Sequence, residues 1–511
     1  MKPVFLSFSL VLLIVSLVAV AEQSLTPTRQ PAVLNNDEVL NYQLLKKKNS
    51  DKFLWFAHQQ LNLSGLSLVS LINDLGLSIS PIAINSEKSD ITTIDQQLTF
   101  QLVYIANLFN GYQFKPKENP QADIIAAVTN KTLANYVDQL LPQFDEVVRL
   151  RSAIAKYRQL SSLPWPSIDA EFNPQLGQGH QEIRKLRTIL SALGDIDNSK
   201  LSSYRQHIFD PEVIEALKNF QARHGLKAKG ILDNKTRLAL AITPKQRIEI
   251  MQVNLWRWLS LPSSPPQRYL QVNIPSYHLS LIENNQQTLA MKVIVGDKQH
   301  PTPIMVTEIN SVTINPTWTP TYNIVNNELL PQNTRDPGSL KRQNFKLAKG
   351  AWHQQEFREI AKQTPDIKKF LPEYHLVQTA GKNNALGKHR FNIKNHHSVY
   401  LHDTPVKNLF SKSNRALSHG CIRLQFSEKL AKEFFDSKNK LKQQVRKADR
   451  TGDTFHIRLS SSVPVYITYQ TVWVAANGQI NWRDDIYQLD NTEFINQDDF
   501  AYNSSLTKVL H

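Results

Sequence analysis

From about Asp37 to Leu160 apolar residues recur at three- and four-residue spacing: Leu102-Val103, Ile105-Ala106 and Leu108-Phe109, then Leu133, Val137 and Leu140-Leu141. This period predicts amphipathic helices. No catalytic constellation lies among them, so residues 37–175 read as a helical scaffold domain, closed by the Pro-rich Leu163-Pro164-Trp165-Pro166. A compact helical module follows at 176–241, with Ile183, Leu186 and Leu190 on one face and Val213, Ala216 and Phe220 on the next. Asp210 before Pro211 is a helix cap followed by a good first helical residue, and Gly225 suits a helix end. Residues 242–267 read as a helical connector. From Arg268 the period changes to two. Tyr269, Val272, Ile274, Leu279 and Leu281 are strand-like, as are 291–295, 311–314, 464–469 and 471–474, with a turn at Asn477-Gly478. Between 322 and 381 lies a stretch, irregular or helical from Pro331 to Leu371, long enough to be a lid. The expected class is therefore multidomain α+β, with a mostly-β domain at 268–495 carrying a helical capping insertion and a tail at 496–511.

Length and composition add a cellular address. A chain of 511 residues with 41% hydrophobic and 20% charged residues is globular and exceeds one core. Met1-Lys2, an apolar run from Val4 to Val20 and Ala19-Val20-Ala21 form an export signal at 1–21, followed by a polar tether at 22–36. An uncleaved membrane anchor is the competing reading of the same run. Export makes the single cysteine, Cys421, informative: a lone thiol in an oxidising compartment is buried and inert, or used. The net charge of +15 points to anionic wall polymers, headgroups or acidic peptides, with nucleic acid a poor fit.

The neighbours of Cys421 favour use. A thiol nucleophile needs a base or cation close by, usually a His oriented by a third group. It also needs backbone N–H groups for a developing oxyanion. His402 ends a strand-like run, Cys421 lies on a turn after it, and Gly420 allows close backbone approach. Leu424, Leu430 and Phe434 have helical spacing, so Cys421 is expected to precede a helix amino end. Arg423 and Arg415 offer charge for a substrate carboxylate. Zinc on His396, His397, His402, His419 and Cys421 is the rival chemistry, without a tight metal-ligand spacing to support it.

Tyr400-Leu401-His402, Thr404-Pro405 and Ser418-His419-Gly420-Cys421-Ile422-Arg423-Leu424 resemble the signature of the L,D-transpeptidase catalytic (YkuD-like) domain. Val293-Ile294-Val295-Gly296, Thr302-Pro303, Asn315-Pro316-Thr317-Trp318, Asn384-Ala385-Leu386-Gly387 and Asp485-Ile486-Tyr487 are similar as well. Phe220-Gln221-Ala222-Arg223-His224-Gly225-Leu226 resembles the type 1 peptidoglycan-binding domain, departing from it at Lys229 and in the insert at 195–206. The resemblance implies a large periplasmic enzyme in which Cys421 attacks the carbonyl joining the third residue of a stem peptide to D-Ala. His402 serves as general base and acid, with the backbone carbonyl of Asp403 as its orienting partner. N–H groups around His419, Gly420 and Cys421 hold the oxyanion, and Arg423, Arg415, Tyr400 and Ser418 bind substrate. An acceptor amine then resolves the thioester into a 3-3 cross-link. The partners implied are donor and acceptor stems, with glycan strands on 176–241; no metal or cofactor is implied. Carbapenems, and less readily penicillins, are expected to acylate Cys421. The same site would serve an L,D-carboxypeptidase or protein-to-wall attachment, and a non-catalytic wall-binding protein is the alternative from another class.

Overall fold

The computed structural model describes residues 43–49, 52–77, 91–112, 119–197, 203–350, 355–361, 367–435 and 439–490. The predicted export signal, tether and C-terminal tail lie outside these residues.

The N-terminal third is helical: α1 (Leu63–Asp74), α2 (Ile91–Tyr112), α3 (Pro120–Thr129), α4 (Leu133–Asp138) and α5 (Asp145–Ser161). Their apolar stripes face inward, with Leu102, Ile105, Phe109 and Ile154 fully buried. Buried Asp74 is held by Arg151 at 2.7 Å and Arg158 at 2.6 Å, which ties α1 to α5. Three helices form the next module: α6 (Gln181–Leu193), α7 (Pro211–Arg223) and α8 (Asn234–Ala241). As expected, Asp210 caps α7, accepting from Val213 N–H at 3.1 Å. A capping box between Thr243 and Gln246 starts α9 (Pro244–Arg257), which returns against α5.

The C-terminal half is a sheet closed on itself. Its strands are β1 (Arg268–Asn273), β2 (His278–Glu283), β3 (Gln286–Gly296) and β4 (Met305–Ile314). The insertion follows, containing β5 (Phe345–Lys349), β6 (Glu356–Glu359) and β7 (His375–Gln378). Then come β8 (His389–Ile393), β9 (Leu401–His402), β10 (Ala416–Ser418), β11 (Ile422–Leu424) and β12 (Phe455–Thr468). Neighbours run β10-β3-β11-β9-β8-β4-β12-β1-β2, and β2 also pairs with β3. The circuit closes because the first half of β3 meets β2 while its second half meets β11. Alternating residues Leu270, Val272, Leu279, Leu281, Val293, Phe391 and Ile422 fill its interior. Helix α10 (Ser427–Phe435) covers one side with Leu430 and Phe434. The outer face supplies Tyr269, Ile282 and Tyr466 to the core of the helical domains, and the hairpin β13 (Val472–Val474) and β14 (Ile480–Trp482) packs there too.

The insertion is more than helical. Turns at Tyr322–Ile324, π-helical Val325–Leu329 and Leu330–Arg335 lie beside an antiparallel sheet of β5 between β6 and β7. Its apolar residues, among them Val325, Leu329, Leu340, Phe345 and Leu376, form a core of their own. Among the described residues no helix is long and apolar enough to cross a membrane.

Candidate active site

Sheet register gathers the predicted residues. Across three strands Arg390 opposes His402, and His402 lies beside Arg423, so all three side chains share one face. The alternate residues Phe391, Leu401 and Ile422 are fully buried on the other face. Tyr400 and Cys421 immediately precede the paired residues Leu401 and Ile422, and Ile422 N–H donates to the Tyr400 carbonyl at 3.0 Å. The Tyr400 hydroxyl and backbone N–H both face the Cys421 sulfur.

Cys421 is held in a tight turn. Gly420 has φ +101°, a region that disfavours side chains. Ser418 Oγ donates to the Cys421 carbonyl at 2.6 Å, and Thr302 Oγ1 donates to the Gly420 carbonyl at 2.8 Å. Thr302 Oγ1 also accepts from Gly296 N–H at 2.8 Å. A Cβ on Gly296 would stand 2.0 Å from the His300 carbonyl oxygen, so only glycine permits this crossing. Ser418 is thus occupied inside the protein, and it shapes the turn from beneath.

His402 is buried, and its Nδ1 lies 2.5 Å from the Asp403 carbonyl oxygen. That contact assigns the proton to Nδ1 and leaves Nε2 as the lone-pair nitrogen. Burial, then the adjacent Arg423 charge, lowers the imidazole to about 3. The Asp403 carboxylate turns elsewhere, to Lys407 Nζ at 2.5 Å and Lys388 N–H at 2.9 Å. Burial pushes the Cys421 thiol up, against the pull of Tyr400, Arg423 and Arg390. Both partners are therefore neutral at neutral pH, so the ion pair that would lower the thiol is not preformed. Among the described residues no hydrogen bond joins them. One strand spacing and two residues separate their backbones, about 8 Å diagonally.

Three expectations need correction. Ser418, expected to bind substrate, is buried with its hydroxyl spent on the Cys421 carbonyl. Arg415 does not meet the cleft: its guanidinium is buried, donates to the carbonyls of Val293, Lys412 and Tyr277, and stacks on the Tyr277 ring. Cys421 does not begin a helix either. It immediately precedes β11, and α10 starts only at Ser427, so the dipole of α10 does not point at the sulfur.

The insertion closes over the site. Glu328 Oε1 lies 2.7 Å from His419 Nε2, and the His419 ring packs on His300 with centroids 4.5 Å apart. Glu328 also acts electrostatically on Arg423. Arg390 and Glu328 escaped the sequence reading. Arg390 alternates with core residue Phe391 along β8, a signal that becomes legible only with the register. Among the described residues no cluster of three His, Cys, Asp or Glu is arranged to hold a metal.

Residues 267–446 match the family described as “L,D-transpeptidase catalytic domain”, and residues 179–240 match the “Putative peptidoglycan binding domain”. A protein of Haemophilus influenzae named “Putative L,D-transpeptidase” is 33% identical over 219 residues, 43% of this chain. The match spans 44% of that relative's length. Among solved structures, an L,D-transpeptidase from Stackebrandtia nassauensis is 13% identical with TM-score 0.22, over 59% of this chain and 96% of that one. L,D-transpeptidase 3 from Mycobacterium tuberculosis, in complex with a faropenem-derived adduct, is 13% identical with TM-score 0.19, over 41% and 65%.

Proposed function

We propose that this chain, whose residues 267–446 match the L,D-transpeptidase catalytic-domain family, is an exported cysteine transpeptidase that joins peptidoglycan stems by 3-3 cross-links in the periplasm. The observation that carries the reading is Cys421 beside Tyr400, on the same face as a His402 whose Nδ1 is pinned to the Asp403 carbonyl.

A neutral thiol and a neutral imidazole imply proton transfer concurrent with attack. Cys421 Sγ bonds to the carbonyl carbon between the third residue and D-Ala while His402 Nε2 takes the thiol proton. Backbone N–H groups at His419, Gly420 and Cys421 hold the oxyanion; the Tyr400 hydroxyl, kept protonated by burial, faces the sulfur as a further donor. Collapse breaks the C–N bond, and His402 returns the proton to the departing amine. An amine from a second stem then attacks the thioester, losing its proton through His402 to the sulfur. Arg423, with Arg390 two strands away, supplies positive charge for donor carboxylates. The insertion keeps water from the thioester until the acceptor arrives.

The test is mass spectrometry of the chain from residue 22 with a disaccharide-tetrapeptide, wild type against Cys421→Ala. The expected product is a dimer joined between third-position residues and absent from the variant, with a carbapenem adduct on Cys421 alone. Tripeptide without dimer would make the protein a carboxypeptidase. Unchanged substrate and an unmodified Cys421 would leave a wall-binding protein.

A further inference from the structure

A groove of 560 Å³ opens on the outer face of the sheet, between the start of α5, strands β1–β3 and the β13–β14 hairpin. It is separate from the Cys421 turn. At its near end His278 pairs with Lys292 of β3, and Gly296 adjoins the Cys421 turn, so four residues of β3, about 13 Å, separate the two.

Register explains its chemistry. The residues turned away from the sheet interior form three rows: Tyr269 beside Ile282, Gln271 beside Ser280, and Asn273 beside His278. Gln287 lies beside Ile282, and half-buried Trp473 comes in from the hairpin. Asn273 is taken up by the backbone of Gln470, and Ser280 Oγ donates to Gln287 Oε1. That leaves the Gln271 amide and the Gln287 amide nitrogen for a bound molecule, while Arg483 lies over one face of the Trp473 ring. The charged groups at the rim are already engaged. Arg149 Nε donates to the Val474 carbonyl at 2.9 Å, and Arg483 donates to the carbonyls of Arg223 and Trp482. With Asp145 and Glu146 also at the rim, the groove does not suit an anionic polymer.

One acceptor in the groove wall is left without a partner. Gln470 lines the groove and is 2% exposed, yet its side-chain oxygen has no hydrogen-bond partner among the described residues. A buried acceptor of this kind is costly until a donor reaches it. Neutral hydrogen-bonding groups, a ring to stack on and a waiting acceptor describe recognition of a pyranose, whose hydroxyls donate while its C–H faces lie on aromatic rings.

We infer that this groove is a saccharide-binding site, separate from the module at 179–240, that grips the glycan of the same polymer whose stems enter the active site. That the sugar is wall glycan rests on the function proposed above; that it is an uncharged saccharide rests on the groove alone. The carbonyl after the third residue of a stem lies at most about 11 Å along the peptide, short of the distance from the groove to the thiol turn, so the strand held here is not the one presenting the reacting carbonyl. The groove therefore adds affinity and leaves the chemical step alone.

Calorimetry of the full chain with chitotetraose, an uncharged N-acetylhexosamine tetramer, tests this. Wild type is expected to bind, and Trp473→Ala and Gln271→Leu each to weaken binding about tenfold or more. Gln287→Leu, at an exposed position, is expected to weaken binding as well and serves if Trp473→Ala does not fold. On a glycan-linked donor the variants should raise KM and keep kcat, and on a sugar-free stem peptide they should match wild type. No heat from wild type at about 10 mM sugar overturns the proposal. So does affinity unchanged in all three variants, which would place the sugar on 179–240. A groove that fails while Cys421 still cross-links leaves the proposed function intact. Sugar binding that depends on Trp473, with no thioester forming at Cys421, would keep the groove and end the transpeptidase reading.

Discussion

Helix α7 ends against the β13–β14 hairpin with Arg223 clamped on Asp195, at 2.7 and 2.5 Å, and reaching the Ile480 carbonyl at 3.3 Å. One residue on, the His224 ring lies 3.8 Å from that of Phe220 and stacks near-parallel on Trp482. The 322–381 insertion is fastened differently. It carries its own core, and it is held to the catalytic domain by Glu328 on His419 and, at its neck, by the backbone bridge between Trp318 and Gln378. The module shares one hydrophobic cluster with the scaffold and the outer sheet, so moving it would expose apolar surface. Swinging the insertion would break polar contacts that water can replace. The module reads as fixed framework and the insertion as the part free to open.

The largest expected effect tests the fixed half. Arg223→Ala leaves Asp195 buried without its partner, and loss of one member of a buried pair costs about 3–5 kcal/mol. Urea unfolding should show that loss, with partial recovery when Asp195→Ala is added. A loss below about 1 kcal/mol would mean that the module is not clamped.

Acid separates the regions next. His224 lies well below its ordinary value because of burial, then the charges of Arg223 and Arg247, and His402 is lowered to about 3 by burial and Arg423. In the unfolded chain both titrate near 6.5, so below that pH the unfolded state binds protons that the folded state refuses. Stability should be full above pH 6.5 and fall as pH drops from there toward 3, by up to about 1.4 kcal/mol per pH unit for each histidine. His224→Gln should remove about half of this slope between pH 6.5 and 5 while Cys421 still acylates. A slope unchanged by the substitution would show that His224 charges freely in the folded protein.

How far the sequence could see follows the same division. The placing of Cys421 and His402 on one face of neighbouring strands and the turn at Gly420 were legible because the motif names the residues and strand alternation places them. Asp210 and Gly225 were legible because caps are local. Arg415 was misjudged because an arginine beneath backbone carbonyls and one lining a cleft read alike in one dimension. The helix expected after Cys421 was misplaced because Leu424, Leu430 and Phe434 are three apolar anchors of which the first belongs to β11. In the insertion β6 is exposed along its whole length, so no alternation announced it. The groove could not be foreseen at all, since its rows exist only once β1, β2 and β3 are aligned.

The smallest effect on stability tests the movable half most directly. Glu328 and His419 remain 49% and 36% exposed in their contact, so Glu328→Ala should cost less than about 1 kcal/mol. The product ratio should respond more. With the insertion loosened, water reaches the thioester before the acceptor amine, so tripeptide should rise several-fold relative to dimer. Acylation of Cys421 by a carbapenem should continue at the wild-type rate, because Glu328 touches neither the sulfur nor His402. An unchanged ratio would show that this contact does not keep the site closed, leaving the contacts at its neck, such as Ala385 N–H on Gln378 Oε1 and Asn384 on the Gln378 carbonyl, to hold it. A slowed acylation would instead place Glu328 in the arrangement of the thiol turn itself, acting through His419 on the residue next to Gly420.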